Sequence, residues 1–214
     1  MWIPQGVLHE GAEATVTAGS WLGKPAVLKT RRARGYRHPD LDRRLTRQRL
    51  TAEVRILGRL QGLGFPAPSL MDVDQEAAWI LMSRIEGRPL YDSLKDGTSD
   101  VESLERLGSI IRSLHEAGVS HGDLTTHNVM VSEDGQLHLI DFGLARQSPE
   151  LEHLGLDIQV LNECLTASHS VVGGAVDAVV RGYLEGDNAP PDVEPANQVI
   201  GRFQKITGRV RYHG

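Results

Sequence analysis

The sequence predicts an α+β chain in two lobes, a small β-rich one followed by a reduced helical one, and three observations carry that prediction. Short β-type runs separated by turn signals fill residues 1–30. A long stretch of helical periodicity follows them. After residue 100 helical patterns dominate, interrupted by two short apolar runs around Asp134-Gly135. A length of 214 residues suits one ordinary domain or two small lobes sharing a cleft. The expected divisions are 1–83 for the first lobe, 84–189 for the second, and 190–214 for a C-terminal helix with a basic tail.

In chain order, Val7–His9, Ala14–Ala18 and Ala26–Thr30 read as strands, with turns at Gly11 and at Gly23-Lys24-Pro25. In AVLK, Lys29 follows alternating apolar residues, so its side chain faces opposite to Leu28 and can enter a cleft. HPDLD supplies acidic cap candidates for a helix carrying Leu41, Leu45, Leu50, Val54, Leu57 and Leu60. Glu53 is the only acid between Arg43 and Gly64. It can pair locally with Arg49 or reach back to Lys29, and its place after that lysine favours the second.

Gly62, Gly64, Pro66 and Pro68 stop the helix. Ser69–Val73 and Trp79–Met82 then form a strand pair turned at Asp74-Gln75-Glu76. SRIEG ends the second strand before a helix near Pro89. Val101–Ala117 is amphipathic through Leu104, Leu107, Ile111 and Leu114, with Ser99 or Asp100 as cap and Gly118 as stop. Helical segments follow at about 150–168 and 172–185, and a last helix runs from beyond Pro190-Pro191 to about Thr207.

The chemistry is concentrated in HGDLTTHNVMVSEDGQLHLIDFG, residues 121–143. Asp123, Asn128 and Asp141 stand in the order of the kinase template: a catalytic-loop Asp, an Asn on metal, then an Asp-Phe-Gly whose Asp holds Mg²⁺. Phosphoryl transfer requires positioning and charge neutralisation, and Mg²⁺ takes hard oxygen ligands. Asn128 and Asp141 are therefore the expected metal ligands, with Asp123 as base. Lys29 would hold ATP phosphates, oriented by Glu53. The expected nucleotide contacts are completed by Gly11 and by backbone groups of Ser83 and Ile85 in a hinge lined by Met82. An ordinary strand-to-helix loop fits SRIEG equally well. The motif gives His121 a structural place, hydrogen-bonding backbone near the metal loop, rather than a second base.

Composition excludes several classes. No apolar run approaches the roughly 20 residues of a membrane helix, and MWIPQGVLHEG lacks the order of a secretory signal. The lone Cys164 suits a reducing, cytoplasmic setting. Net charge is −5, yet residues 31–59 balance at +7 and leave −12 for the rest. Residues 201–214 add Arg202, Lys205, Arg209 and Arg211 without an acid. Two basic zones on an acidic chain suggest a polyanion such as RNA, or else a solvated helix face and a loose tail.

Other features depart from a regulated protein kinase. HGD replaces HRD, Thr125 stands where a lysine is usual, no APE triplet follows DFG, and EGAEA, with Glu10 and Glu13, replaces a full Gly-rich loop. HGDLTTHNVM, IDFGLA, GAEA, YRHPDLDRRL and DIQVLNECLTASH together resemble one family over nearly the whole chain. It is the small atypical Ser/Thr kinase/ATPase subunit of the KEOPS complex, of the Bud type, which makes threonylcarbamoyladenosine on tRNA. The resemblance implies a compact bilobal protein-kinase-like fold that uses Mg-ATP to support tRNA modification. It further implies partners in the threonylcarbamoyl-transferase subunit and a small accessory subunit, and tRNA contact through Arg209 and Arg211. Here GRVRYHG is less basic than the family's usual ending, and EHLGLD replaces an EDKAVD-like run. RIO kinases share HGDL and the Ile-Asp-Phe-Gly run, so a RIO-like atypical kinase is one alternative. An ATP-dependent scaffold with incidental catalysis is the other.

Overall fold

The computed structural model describes residues 1–11, 14–32, 38–190 and 193–211. Glu13, Tyr36, Arg37 and the last three residues, all used in the reading above, lie outside them. The chain divides into two compact units, Met1–Ile85 and Glu86–Gly214.

The first unit is a sheet with one helix. Strands β1 (Trp2–Glu10), β2 (Ala14–Trp21), β3 (Lys24–Arg31), β4 (Leu70–Asp74) and β5 (Trp79–Ser83) pair antiparallel in the order β1-β2-β3-β5-β4. Strand β1 begins well before the expected Val7. Register shifts at Pro4/Gly6 and Val7/His9 break its period-two pattern, which hid the strand from a periodicity argument. Lys24 pairs with Trp21, so the turn is Leu22-Gly23 and Pro25 is already strand.

Helix α1 (Pro39–Gly62) is capped by His38, whose Nδ1 accepts from the Asp40 N–H at 3.4 Å. The expected acidic caps Asp40 and Asp42 instead occupy the first turn, where the helix dipole favours them. Its buried apolar residues, Leu50, Ile56, Leu57 and Leu60, all lie from Leu50 onward, so Leu41 is left exposed. Glu53 falls on the same stripe as Leu50, Leu57 and Leu60, which puts a carboxylate into the core.

The second unit is helical around short strands. Its elements are β6 (Arg88–Pro89), α2 (Leu90–Lys95), α3 (Val101–Glu116), β7 (Val119–Ser120), a 3-10 turn (Thr126–Asn128), β8 (Val129–Val131), β9 (Leu137–Leu139), β10 (Arg146–Gln147), α4 (Leu151–Ser168), α5 (Ala175–Glu185) and α6 (Ala196–Arg211). Strands β6, β8 and β9 form one small sheet, and β10 pairs with β7. Asp100 caps α3 by accepting from the Ser103 N–H at 3.1 Å. Leu104, Leu107, Ile111 and Leu114 of α3 are fully buried; burial of one such side chain is worth about 1.5–3 kcal/mol. Helices α3 and α5 cross at two glycines, because a Cβ at Gly108 would lie 2.1 Å from the Val179 carbonyl and one at Gly182 1.8 Å from that of Glu105. Helix α6 continues to Arg211 instead of ending near Thr207, so Arg209 stands on a helix and not on a loose tail. Among the described residues no helix is long and apolar enough to cross a membrane. The result is an α+β, kinase-like architecture.

Candidate functional site

In the first unit the chemistry gathers on Glu53. Lys29 Nζ donates to Glu53 Oε1 at 2.7 Å, and Arg31 Nη2 donates to Oε2 at 2.5 Å. The strand lysine thus pairs with the helix glutamate, as its spacing predicted. Arg31 was missed, although residues two apart on a strand share a face and the signal was present in KTR. All three side chains are nearly buried, at 10%, 6% and 2% exposure. A carboxylate is tolerated in that core because each oxygen meets a cation.

The remaining first-unit candidates are placed less tightly. The Gly11 N–H donates to the Ala14 carbonyl at 2.9 Å and starts the turn after β1. A Cβ at Gly11 would meet the tip of the His9 ring at 3.0 Å and the Ala14 carbonyl at 3.5 Å. Glu10, expected to repel phosphates unless paired, is paired with Arg32, which holds its carboxyl below the usual range. Ser83 is half-committed: its N–H donates to Ser69 O at 2.9 Å and its hydroxyl accepts from the Ser69 N–H at 2.8 Å. The Ser83 N–H and hydroxyl are thus both engaged within the first unit. Ile85 closes the unit. Arg43, Arg44 and Arg47 line a groove of about 390 Å³ together with Gln75 and Glu76 of the β4–β5 turn.

In the second unit a single loop and hairpin bring Asp123, Asn128 and Asp141 together. Asn128 Nδ2 donates to Asp123 O at 2.8 Å and to Asp123 Oδ2 at 3.1 Å. With its NH₂ so engaged, the amide oxygen of Asn128 is the atom able to ligate a cation. The β8–β9 hairpin turns at Asp134-Gly135, and the Ile140 N–H donates to Asn128 O at 2.9 Å. Asp141, the next residue, is exposed and adopts a left-handed φ of 61°. Its Oδ1 accepts from the Gly143 N–H at 3.2 Å. Among the described residues no group of three or more His, Cys, Asp or Glu could cage a metal. One carboxylate and one amide oxygen are what Mg²⁺ uses when phosphates and water complete its shell.

His121 takes the structural place that the motif assigned to it. It is buried, its Nε2 donates to Ile140 O at 3.0 Å, and its Nδ1 accepts from the Asp123 N–H at 3.3 Å. Burial holds its pKa below the ordinary value, and the two hydrogen bonds fix this tautomer. Gly122, the departure from HRD, is required here. Its φ is +79°, and a Cβ would lie 2.4 Å from the Leu144 carbonyl.

The loop is held from below by Asp157 on α4, which sequence reasoning did not single out. Its Oδ2 accepts from the His121 N–H at 2.6 Å and its Oδ1 from the Gly122 N–H at 2.8 Å. Burial alone would raise this carboxyl, but hydrogen bonds from His115, Gly122 and His121 outweigh it and hold the pKa below the usual range. The available signal was one acid in the apolar run LGLDIQVL. Thr126 is fixed in turn by His169, Nε2 to Oγ1 at 3.0 Å, with Cys164 Sγ at 3.3 Å. Between Gly143 and α4 the one regular element is the two-residue β10. On α6, Arg202 is paired with Glu152, whereas Lys205 and Arg209 are exposed.

These features converge with what the chain is similar to. Residues 25–170 match the RIO domain family. The chain is 35% identical over 211 residues to the "probable bifunctional tRNA threonylcarbamoyladenosine biosynthesis protein" of Methanothermobacter thermautotrophicus, covering 98% of this chain and 37% of that protein. It thus spans little more than a third of the bifunctional relatives it matches. It is also 33% identical over 229 residues to the EKC/KEOPS complex subunit bud32 of Emericella nidulans, covering 83% of this chain and 80% of the relative. The Coccidioides immitis subunit BUD32 is 31% identical over 268 residues, covering 97% and 91%. A match that spans both units, with the loop, hairpin and lysine–glutamate pair inside it, places this chain in the Bud32 family of RIO-domain proteins.

Proposed function

We propose that this chain is an atypical Ser/Thr kinase and ATPase that uses Mg-ATP within a KEOPS-type assembly to support threonylcarbamoyladenosine formation on tRNA. The observation that carries the reading is the Asp123–Asn128 bond, with Asp141 reached across the β8–β9 hairpin. It sets a base, an amide oxygen and a carboxylate in one loop framework. Asp123 would accept the proton of an attacking hydroxyl or water, oriented by the Asn128 amide on its Oδ2. Asn128 Oδ1 and the Asp141 carboxylate would hold Mg²⁺, which when bound supplies positive charge against the phosphate oxygens. Lys29, aimed by Glu53 and Arg31, would hold phosphate from the first unit, and the Ser83 carbonyl and Ile85 backbone would serve the adenine.

The same reading includes a cytoplasmic site of action, a transferase subunit and a small accessory subunit as partners, and tRNA held by exposed cations. The short segment before α4 supports ATP chemistry inside an assembly over phosphorylation of docked proteins. Exposed Lys205 and Arg209, and the arginine-lined groove at the start of α1, suit the RNA backbone. Reconstitution with the transferase subunit and tRNA tests this directly. Asp123→Asn should lower modified-nucleoside yield and ATP consumption together. Full modification by that variant would reduce the chain to a scaffold. Arg209→Glu should weaken tRNA binding and flatten its salt dependence.

A further inference from the structure

Behind the catalytic loop lies a chain of buried polar side chains that none of the motif residues explains. Asp157 Oδ2, already accepting from the His121 N–H, also faces His115 Nε2 at 3.1 Å. A carboxylate can only accept, so Nε2 carries the proton and, in the neutral ring, Nδ1 is the acceptor. Tyr183 O–H lies 2.8 Å from that Nδ1 and fills the role. Arg112 Nη1 in turn donates to Tyr183 O at 3.4 Å. Donor direction therefore runs one way, from Arg112 through Tyr183 and His115 to Asp157, and ends on the carboxylate that grips the loop N–H groups.

The far end is anchored as firmly. Arg112 is fully buried and donates through Nε and Nη2 to Asp187 Oδ1 at 2.9 and 2.5 Å, and through Nη1 to Glu194 O at 3.0 Å. Glu116 Oε1 stands 3.1 Å from Nε, and Asp187 Oδ2 accepts from the Ala196 N–H at the head of α6 at 3.1 Å. The crossing of α3 and α5 at Gly108 and Gly182 is what brings Tyr183 against Arg112 and His115. Burial keeps the phenol protonated, and so a donor.

We propose that Arg112, Tyr183 and His115 are positioning residues for the phosphoryl-transfer step, acting through Asp157 on the backbone that carries Asp123. The proposal rests on the reading of Asp123 as base, but the geometry it tests is independent of that reading. Asp157 has two oxygens for three donors, so the His115 ring must be held in one tautomer and one orientation for all three bonds to persist. Asp157 places the proton on Nε2, Tyr183 holds the ring at its other nitrogen, and Arg112 holds Tyr183. Losing the tyrosine hydroxyl frees the ring to turn and loosens the His121 and Gly122 N–H groups without removing any packed carbon.

The experiment uses the full chain and Tyr183→Phe, with Arg112→Lys beside it. Amide hydrogen exchange at His121 and Gly122 should quicken in Tyr183→Phe by about tenfold, the scale of one lost hydrogen bond. Exchange in the β8–β9 hairpin should stay unchanged. ATP turnover should fall about tenfold in kcat while KM for ATP holds, because the loop and not the nucleotide contacts has loosened. Arg112→Lys, which keeps the charge but loses the fork, should shift both readouts the same way but less. Unchanged exchange at both loop amides in Tyr183→Phe overturns the relay, whatever happens to melting temperature. If the wild-type chain turns over no ATP, the functional reading fails, while the exchange result still decides the relay.

Discussion

Each unit has a buried carboxylate that gathers several donors, Glu53 in the first and Asp157 in the second, and the two are used differently. Glu53 in the first unit receives two cationic side chains, one on each oxygen. Asp157 in the second receives backbone N–H groups and a histidine ring. The first arrangement holds charge on side chains from regular elements, where in the proposed reading a phosphate would share it. The second fixes the path of a loop, because backbone donors cannot swing away.

Removing Glu53 or Asp157 should have unequal effects in the two units. Glu53→Gln should be the more damaging, leaving two nearly buried cations with a neutral amide. The expected loss is about 3–5 kcal/mol, read as a lower denaturant midpoint at constant m-value. Asp157→Asn keeps one acceptor oxygen, so a smaller loss of about 1.5–3 kcal/mol is expected, with a fall in kcat out of proportion to it. If the glutamate variant were as stable as wild type, the pairing of core and charge described for the first unit would be wrong.

Acidification distinguishes the units more gently. His121 sits in the second, and its folded pKa lies below the ordinary 6.5 because of burial. The unfolded chain therefore binds the extra proton. This contribution is full above pH 6.5 and is lost as pH falls below that toward the folded value. Asp157, held below 3.8, contributes above that value and weakens only in stronger acid. Melting temperature should thus decline between pH 7 and pH 5, and His121→Gln should flatten part of that slope. His138 and His169, also lowered by burial, contribute in the same direction.

Much of this was legible in the residues themselves. The loop and hairpin could be read because Asp123, Asn128, Asp134-Gly135 and Asp141 follow one another in sequence at fixed offsets. Lys29 and Glu53 could be paired because the strand and helix were each recognisable by period. What escaped were contacts made by topology. Asp157, His115, Tyr183 and Arg112 lie on three helices whose crossing no local pattern reports, and Arg112 reads as an ordinary helix arginine. The two-residue strands β6, β7 and β10 are too short for any periodicity. His38 took the cap from Asp40 and Asp42 because the helix starts at Pro39, two residues earlier than a cap at Asp40 would require. The end of α6 was misjudged at Gly208, since a helical glycine with open space around it stops nothing.

In the proposed reading Asp123 takes the proton of an attacking hydroxyl or water in an Mg-ATP site completed by Asn128 and Asp141. Single-turnover ATP hydrolysis at saturating Mg-ATP, comparing the full chain with Asp123→Asn while nucleotide affinity is measured alongside, tests it most directly. The predicted result is a rate lower by about 10²–10⁴, the range for loss of a general base, with affinity for Mg-ATP essentially retained. Equal rates in the two proteins would contradict the assignment of Asp123 as the base.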